Sequence, residues 1–100
     1  MKKYHEKDAD LVSFLDSLFI EKGLSKNTVS SYKSDILDAL DWSMTTYKVS
    51  LRNIKNHEIE TYIKFLFDKN YKSSTVNRKI SSLKAFFLFL LKKGLSLIHI

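Results

Sequence analysis

The sequence KSSTVNRKISSLKAFFLFLLKK, residues 72–93, decides the fold class. Its apolar residues recur at steps of three and four, and no proline interrupts the pattern. Gly94 follows directly, where the C-terminus of a helix favours a residue with a left-handed backbone. We therefore predict one long α-helix over residues 73–93, with Ser73 as its N-cap.

This predicted helix has two halves of different character. The first half points Val76, Ile80 and Leu83 inward and exposes a broad polar face. The second half, residues 85–91, is apolar on every side. A helix of that kind is buried all round or contacts a partner, and we interpret it as the hub of the core.

The same periodicity predicts three further helices earlier in the chain. We place them over residues 8–22, 26–46 and 56–69, with Gly23 at the end of the first and with Ser25 and Asn56 as N-caps of the next two. Because the connections are short, neighbouring helices are expected to be antiparallel. The chain is thus predicted to be all-α.

The composition fits one domain that needs no covalent support. A hydrophobic content of 44% over 100 residues is enough for a core, and the absence of cysteine excludes disulfides and thiolate metal sites. The N-terminus is too polar for a signal peptide, and the longest apolar run, residues 85–91, is far shorter than the roughly 20 residues that a membrane helix needs. We expect a single soluble, cytoplasmic domain over residues 1–100, without membrane contact.

Positive charge is concentrated at one place in the sequence. The chain has 17 Lys+Arg against 11 Asp+Glu, a net charge of +6. Residues 72–93 contain no acid and carry Lys72, Arg78, Lys79, Lys84, Lys92 and Lys93. This distribution favours a polyanionic partner, although a solvated lysine-rich face would give the same pattern.

The sequence offers no residue set for catalysis, a cofactor or a metal. His5, His57 and His99 lack the spacing of metal ligands, and there is no cysteine to assist them. The two glycines, Gly23 and Gly94, form no phosphate-binding loop. We predict no active site, no cofactor and no metal in this chain.

Two features of the second predicted helix have simple structural interpretations. Asp35, Asp38 and Asp41 follow each other at three-residue steps, and we interpret them as a solvated helix face. Trp42 projects toward the polar side, where it is either an exposed contact or covered by another helix. We favour packing, because large aromatic side chains are usually buried.

Two helix starts combine hydroxyls, amides and positive charge. These are residues 25–28 and 73–79. Free backbone N–H groups, hydroxyls and cations together suit phosphate oxygens. Capping accounts for the serines that begin each segment, but it does not account for Asn77, Arg78 and Lys79.

Recognisable motifs lie on the same elements. They are Thr28-x3-Tyr32-Lys33-x-Asp35-Ile36, the stretch STVNRKISSLKAFF at residues 74–87, and residues 14–25. In this order and separation they resemble the N-terminal core-binding domain of the tyrosine recombinases, above all of the Xer type and of phage integrases. The resemblance runs from about Leu11 to Leu95.

The resemblance implies a four-helix orthogonal bundle of the SAM-like, lambda-integrase type. Its second and fourth helices would lie against the major groove of a recombination half-site in double-stranded DNA, and other recombinase protomers would be partners on the DNA. Strand cleavage would belong to a separate C-terminal catalytic domain, which is absent from this chain. The chain itself would therefore be no enzyme, although its parent would be a tyrosine recombinase.

Carried over by motif position, the resemblance implies a set of DNA contacts. They are Lys26, Asn27, Ser31 and Lys33 on the second helix, and Ser74, Thr75, Asn77, Arg78, Lys79, Ser82 and Lys84 on the fourth. Most would touch phosphates. Asn77 and Arg78 are the candidates for base edges, because asparagine pairs with adenine and arginine with guanine. The alternative is a helical protein-interaction module that docks through the apolar half of the fourth helix.

Overall fold

Helices account for nearly all of the structure. A computed structural model describes residues 7–96, which form four α-helices, one 3₁₀ turn and no β-strand. The elements are α1 (Ala9–Ile20), α2 (Lys26–Thr46), the 3₁₀ turn (Leu51–Asn53), α3 (Asn56–Asp68) and α4 (Ser73–Lys92). The all-α prediction is confirmed. The predicted bounds of α2 are also confirmed, and the other helices end one or two residues early. None of the helices within residues 7–96 is both long and apolar enough to cross a membrane.

The helix starts agree only in part with the predicted caps. Ser25 is the N-cap of α2, and its side chain accepts a hydrogen bond from the backbone N–H of Thr28 at 3.2 Å. The predicted caps of α3 and α4, Asn56 and Ser73, are wrong. The N-caps are Lys55 and Lys72, one residue earlier in each case, because the carbonyls of these two lysines accept the first backbone hydrogen bonds of α3 and α4.

Within residues 7–96, four residues outside the helices have left-handed backbone: Gly23, Lys48, Asn70 and Gly94. Gly23 and Gly94 have φ angles of 61° and 69°, which confirms their predicted place after α1 and α4. Asn70 adopts a φ of 61° between α3 and α4. Asparagine tolerates this region better than most residues with a side chain, so the chain can reverse there without glycine.

The core is centred on the second half of α4. Phe86, Phe87 and Leu90 are at most 1% exposed, and the Phe86 ring meets the ring of Phe14 on α1 edge to face at 5.2 Å. The prediction that this half is the hub of the core is therefore confirmed for these residues. Burial on every side is wrong, since Leu88 remains 46% exposed.

Helix α2 connects the rest of the bundle. It packs most extensively against α4, then against α1. Near its C-terminal end, Trp42 lies over Tyr62 of α3 at 5.0 Å and against Tyr47 at 5.4 Å. The packing interpretation of Trp42 is confirmed, because the indole is half-buried against the core.

The two leucines on opposite sides of α4 provide a direct test of the core. We expect Leu90→Ala to lower the free energy of unfolding by about 2 to 5 kcal/mol, because it opens a cavity in a fully buried site. The matched control is Leu88→Ala, which should change that free energy by no more than about 0.5 kcal/mol. Urea denaturation followed by circular dichroism measures both values. Equal losses would show that the core is centred elsewhere.

Candidate nucleic-acid interface

A shallow groove runs between the N-terminal halves of α2 and α4. Its volume is about 260 Å³. The groove is lined by Thr28, Ser31 and Tyr32 from α2 and by Arg78, Ser81 and Ser82 from α4. The α2 set and the α4 set each follow helical spacing of three and four, so each set occupies one helix face. The lining is hydroxyl-rich and contains no carboxylate.

An exposed stripe on α4 adjoins this groove. It consists of Ser74, Asn77, Arg78, Ser81 and Lys84, all exposed and spaced by three or four residues. We call these five residues the α4 stripe. At 1.5 Å per residue the stripe is about 15 Å long. It presents hydroxyl, amide and cationic groups along a single helix face.

A buried carboxylate lies beneath the stripe. The Asp35 side chain is 0% exposed, and it accepts hydrogen bonds from Arg78 Nε at 3.2 Å and Arg78 Nη2 at 2.8 Å. The Ser82 hydroxyl donates to Asp35 at 2.7 Å. Lys79 Nζ lies 3.5 Å from Asp35 and donates to Asp38 at 2.7 Å. We call these five residues the Asp35 cluster.

The Asp35 cluster is formally neutral, because two carboxylates face one guanidinium and one ammonium. The hydrogen bond to Asp35 raises the pKa of Arg78 above its ordinary value, although partial burial opposes the shift. Burial also raises the pKa of Tyr62, and the negative charges of Asp38 and Asp35 add to that effect. Both groups therefore keep one protonation state through the physiological range.

The interpretation of the acidic residues as a solvated face is wrong for Asp35. This residue is 1% exposed, because its carboxylate faces α4 and is satisfied there by three donor side chains. Asp38 is half-buried and belongs to the same cluster. These carboxylates connect helices and do not face solvent as a row.

Burial separates the predicted DNA contacts on α4 into two groups. Ser74, Asn77, Arg78 and Lys84 lie on the α4 stripe. Thr75 is half-buried, while Lys79 and Ser82 are only 5% and 3% exposed. The side chains of Lys79 and Ser82 point to carboxylates inside the protein, so they cannot reach a duplex in this conformation.

The predicted contacts on α2 also divide. Ser31 lines the groove, and its hydroxyl donates to the backbone carbonyl of the exposed Asn27 at 3.2 Å. Lys26 and Lys33 line a different groove, between α1 and α2. The residue positions explain this separation, because Thr28 and Lys33 are about 140° apart around a helix with 100° per residue.

Three groove residues were missing from the set of predicted contacts. They are Thr28, Tyr32 and Ser81. Helical spacing was the available signal, since Thr28 and Tyr32 fall beside Ser31, and Ser81 falls one turn after Arg78.

The described part of the chain lacks the side-chain groups that usually hold a metal ion. Residues 7–96 contain no group of three or more histidine, aspartate or glutamate side chains that could share a metal ion. His57 is exposed in the first turn of α3. His5 and His99, whose spacing is not that of metal ligands, lie outside the described residues.

The family model and the relatives that match this chain indicate the same protein family. The model of the phage integrase N-terminal SAM-like domain matches residues 11–94. Tyrosine recombinase XerD of Rickettsia prowazekii (strain Madrid E) is 36% identical over 84 residues, which cover 84% of this chain and 27% of that protein. XerD of Proteus mirabilis is 32% identical over 91% of this chain and 29% of its own length. Tyrosine recombinase XerC of Roseiflexus sp. (strain RS-1) is 30% identical over 82% of this chain and 26% of its own length.

The chain spans about a quarter of the length of the curated relatives that it matches. No solved structure matches it.

The Asp35 cluster should contribute strongly to stability. We expect Asp35→Ala to lower the free energy of unfolding by about 3 kcal/mol, because it removes the shared acceptor of a buried ion pair and leaves Lys79 with Asp38 as its remaining carboxylate. The matched control is Asp16→Ala at an exposed position of α1, with an expected change within about 0.5 kcal/mol. Guanidinium chloride denaturation compares the two. A similar small change in both variants would contradict a structural role for Asp35.

Proposed function

The chain belongs to the phage integrase N-terminal SAM-like domain family, and on that premise we propose that it is the DNA-gripping domain of a site-specific tyrosine recombinase. In this proposal it holds a recombination half-site in double-stranded DNA. Strand cleavage and rejoining belong to a catalytic domain elsewhere in the parent protein, and other recombinase protomers are its partners on the DNA. A DNA substrate of this kind implies a cytoplasmic location.

The α4 stripe, beside the hydroxyl-lined groove, is the observation that carries the proposal. Phosphate oxygens accept hydrogen bonds from hydroxyls, amides and cations, and the stripe offers all three. A carboxylate at this surface would repel DNA, but the acid that Arg78 contacts is buried beneath it. Hydrogen-bond donors are therefore exposed where an anion could meet them.

The dimensions of the stripe suit the major groove. That groove is about 12 Å wide and admits one α-helix. The stripe's length of about 15 Å corresponds to about four base-pair steps at ~3.4 Å each. Helix α4 could therefore contact a short run of bases while Ser31 and Thr28 of α2 approach an adjacent backbone.

The proposal assigns different contacts to different members of the stripe. Ser74 and Lys84, at its two ends, would bind phosphates, because ends of a helix in the groove lie nearest the backbone. Asn77 and Arg78, near its centre, would face base edges. Lys79 and Ser82 would act from beneath the surface, and Lys26 and Lys33 would lie outside the contact.

The alternative function, a protein-interaction module, would dock through the apolar second half of α4. Most of that surface is buried inside the protein. Phe86, Phe87 and Leu90 are used by the protein's own core, and Leu88 is the exposed large apolar residue of that segment. One exposed leucine is common on monomeric proteins and needs no partner. DNA binding through the stripe is therefore the function that the geometry supports better.

A salt series on two lysine variants tests the proposal. We expect Lys84→Gln to weaken binding to a duplex by about fivefold to tenfold at ~0.1 M salt, and to reduce the slope of log affinity against log salt by about 1. The reason is the loss of one phosphate contact and its released counterions. Fluorescence anisotropy with a labelled 20-base-pair duplex of mixed sequence measures both quantities.

The matched control is Lys64→Gln on α3, which lowers the net charge equally at an exposed position away from the groove. It should leave the slope unchanged. Equal effects of the two substitutions would indicate diffuse charge attraction. Absence of binding by the unmodified chain at about 50 mM salt would rule out the proposed function for this chain.

A further inference from the structure

We infer that Asp35 is a positioning residue for base recognition: it holds the Arg78 guanidinium so that the outer edge forms a preset two-donor fork for guanine. This inference rests on the proposed function and deepens it. Arg78 would contact one base, and Asp35 would orient Arg78 for that contact without touching DNA itself.

Asp35 uses only part of the hydrogen-bonding capacity of Arg78. A guanidinium has five N–H groups in a rigid plane. Asp35 engages Nε and Nη2, which uses one N–H of each. Both N–H groups of Nη1 and one of Nη2 remain. Two of these lie side by side on the Nη1–Nη2 edge and point the same way.

Burial differs sharply between the two partners of this ion pair. The Asp35 side chain is 0% exposed, while the Arg78 side chain is 52% exposed. The edge bound to Asp35 therefore faces the interior. The Nη1–Nη2 edge is a different edge of the same plane, and we infer that it is the one left to face solvent beside the groove. Ser31 and Ser81 line the same groove, so the free edge lies on the surface proposed to meet DNA.

The carboxylate that holds Arg78 is itself held in place by other side chains. Asp35 is itself fixed by Ser82 at 2.7 Å and by Lys79 at 3.5 Å, and Lys79 is further tied to Asp38. A carboxylate with donors on both oxygens cannot rotate freely. Much of the conformational entropy of the arginine is thus already lost on folding, before any ligand binds.

Charge and geometry together favour guanine over phosphate as the ligand of this fork. Asp35 offsets the positive charge of Arg78, which weakens long-range attraction to phosphates. It leaves the directional hydrogen bonds intact. Guanine presents O6 and N7 as two coplanar acceptors in the major groove, the arrangement that matches two parallel arginine donors.

A second arginine of the same chain provides an internal control. Arg52 makes the same two-bond contact with Asp10, from Nε at 3.0 Å and Nη2 at 2.6 Å. Its side chain is 42% exposed, which is similar to Arg78. It lies on the 3₁₀ turn and lines neither the groove nor the α4 stripe. Substitution of Arg52 therefore perturbs an equivalent ion pair away from the proposed interface.

The experiment begins with the unmodified chain and a pool of 20-base-pair duplexes randomised over the central positions. Bound duplexes are selected at low salt and sequenced, and each preferred guanine is then replaced by 7-deazaguanine, which lacks the N7 acceptor. We expect one replacement to lower the affinity by about fivefold, because it removes one of the two acceptors of the fork and leaves O6 in place. Anisotropy measures the ratio of affinities for the two duplexes.

Substitutions then show which residues this ratio of affinities depends on. Arg78→Lys keeps the charge but has no planar fork, so the ratio should fall to below about half of its original value while the salt slope stays within about 0.3 of its original value. Asp35→Asn should reduce the ratio to below about a third of its original value, because the amide can accept one hydrogen bond from Arg78 but repels the second donor. Arg52→Lys should leave the ratio unchanged.

Folding is checked by circular dichroism at the binding temperature. If Asp35→Asn fails to fold, Ser82→Ala replaces it, since it removes one donor to Asp35 at the cost of a single hydroxyl. It should lower the ratio about twofold to threefold, a part of the effect expected for the whole fork.

The outcomes separate this inference from the proposed function. A folded Asp35 or Ser82 variant with the original ratio, or Arg78→Lys with the original ratio, would overturn the inference and leave DNA binding intact. Binding without any guanine preference would do the same. Failure of the unmodified chain to bind any duplex in the pool at about 50 mM salt would remove both.

Discussion

The buried carboxylate of Asp35 is the constraint on which the arrangement of α2 and α4 depends. A charge inside a protein is costly unless it is paired and hydrogen-bonded. Its donors come from 43 to 47 residues further along the chain, so it is satisfied only when α4 lies against α2 in one register. Within residues 7–96 no buried side-chain nitrogen or oxygen lacks a hydrogen-bond partner, so this requirement is met in full. Hydrogen bonds are directional, so these contacts favour one register of α4 against α2.

The sequence predicted most of the fold because helical periodicity is a local property. Leu11, Ile36 and Leu90 could be assigned to the core from the spacing of their apolar neighbours. Asp35 could not be assigned in this way. Periodicity shows which residues share a face, but it does not show which helix covers that face. The helical pattern around Asp35 is the same whether its carboxylate faces water or Arg78.

The candidate site was predicted less well, for a related physical reason. A buried carboxylate needs polar donors, and these are the same residue types that bind phosphate. Lys79 and Ser82 therefore looked like DNA contacts, although their hydrogen bonds are made inside the protein. Asn77 and Arg78 lie two residues and one residue before Lys79, and at about 100° per residue they point away from its buried side. Burial on one face of α4 and exposure on the other thus separate residues that are adjacent in sequence.

The two halves of helix α4 have different roles. The second half packs into the core, and the first half presents the α4 stripe. Phe86, Phe87 and Leu90 fix the helix axis by burial, but apolar contacts are not directional and tolerate some rotation about that axis. Rotation matters at the other end of the helix, where about 100° separates an exposed side chain from a buried one. Hydrogen bonds from Arg78 and Ser82 to one carboxylate are directional, and they remove this freedom. The core therefore positions the helix, and the Asp35 cluster determines which of its faces is exposed to solvent.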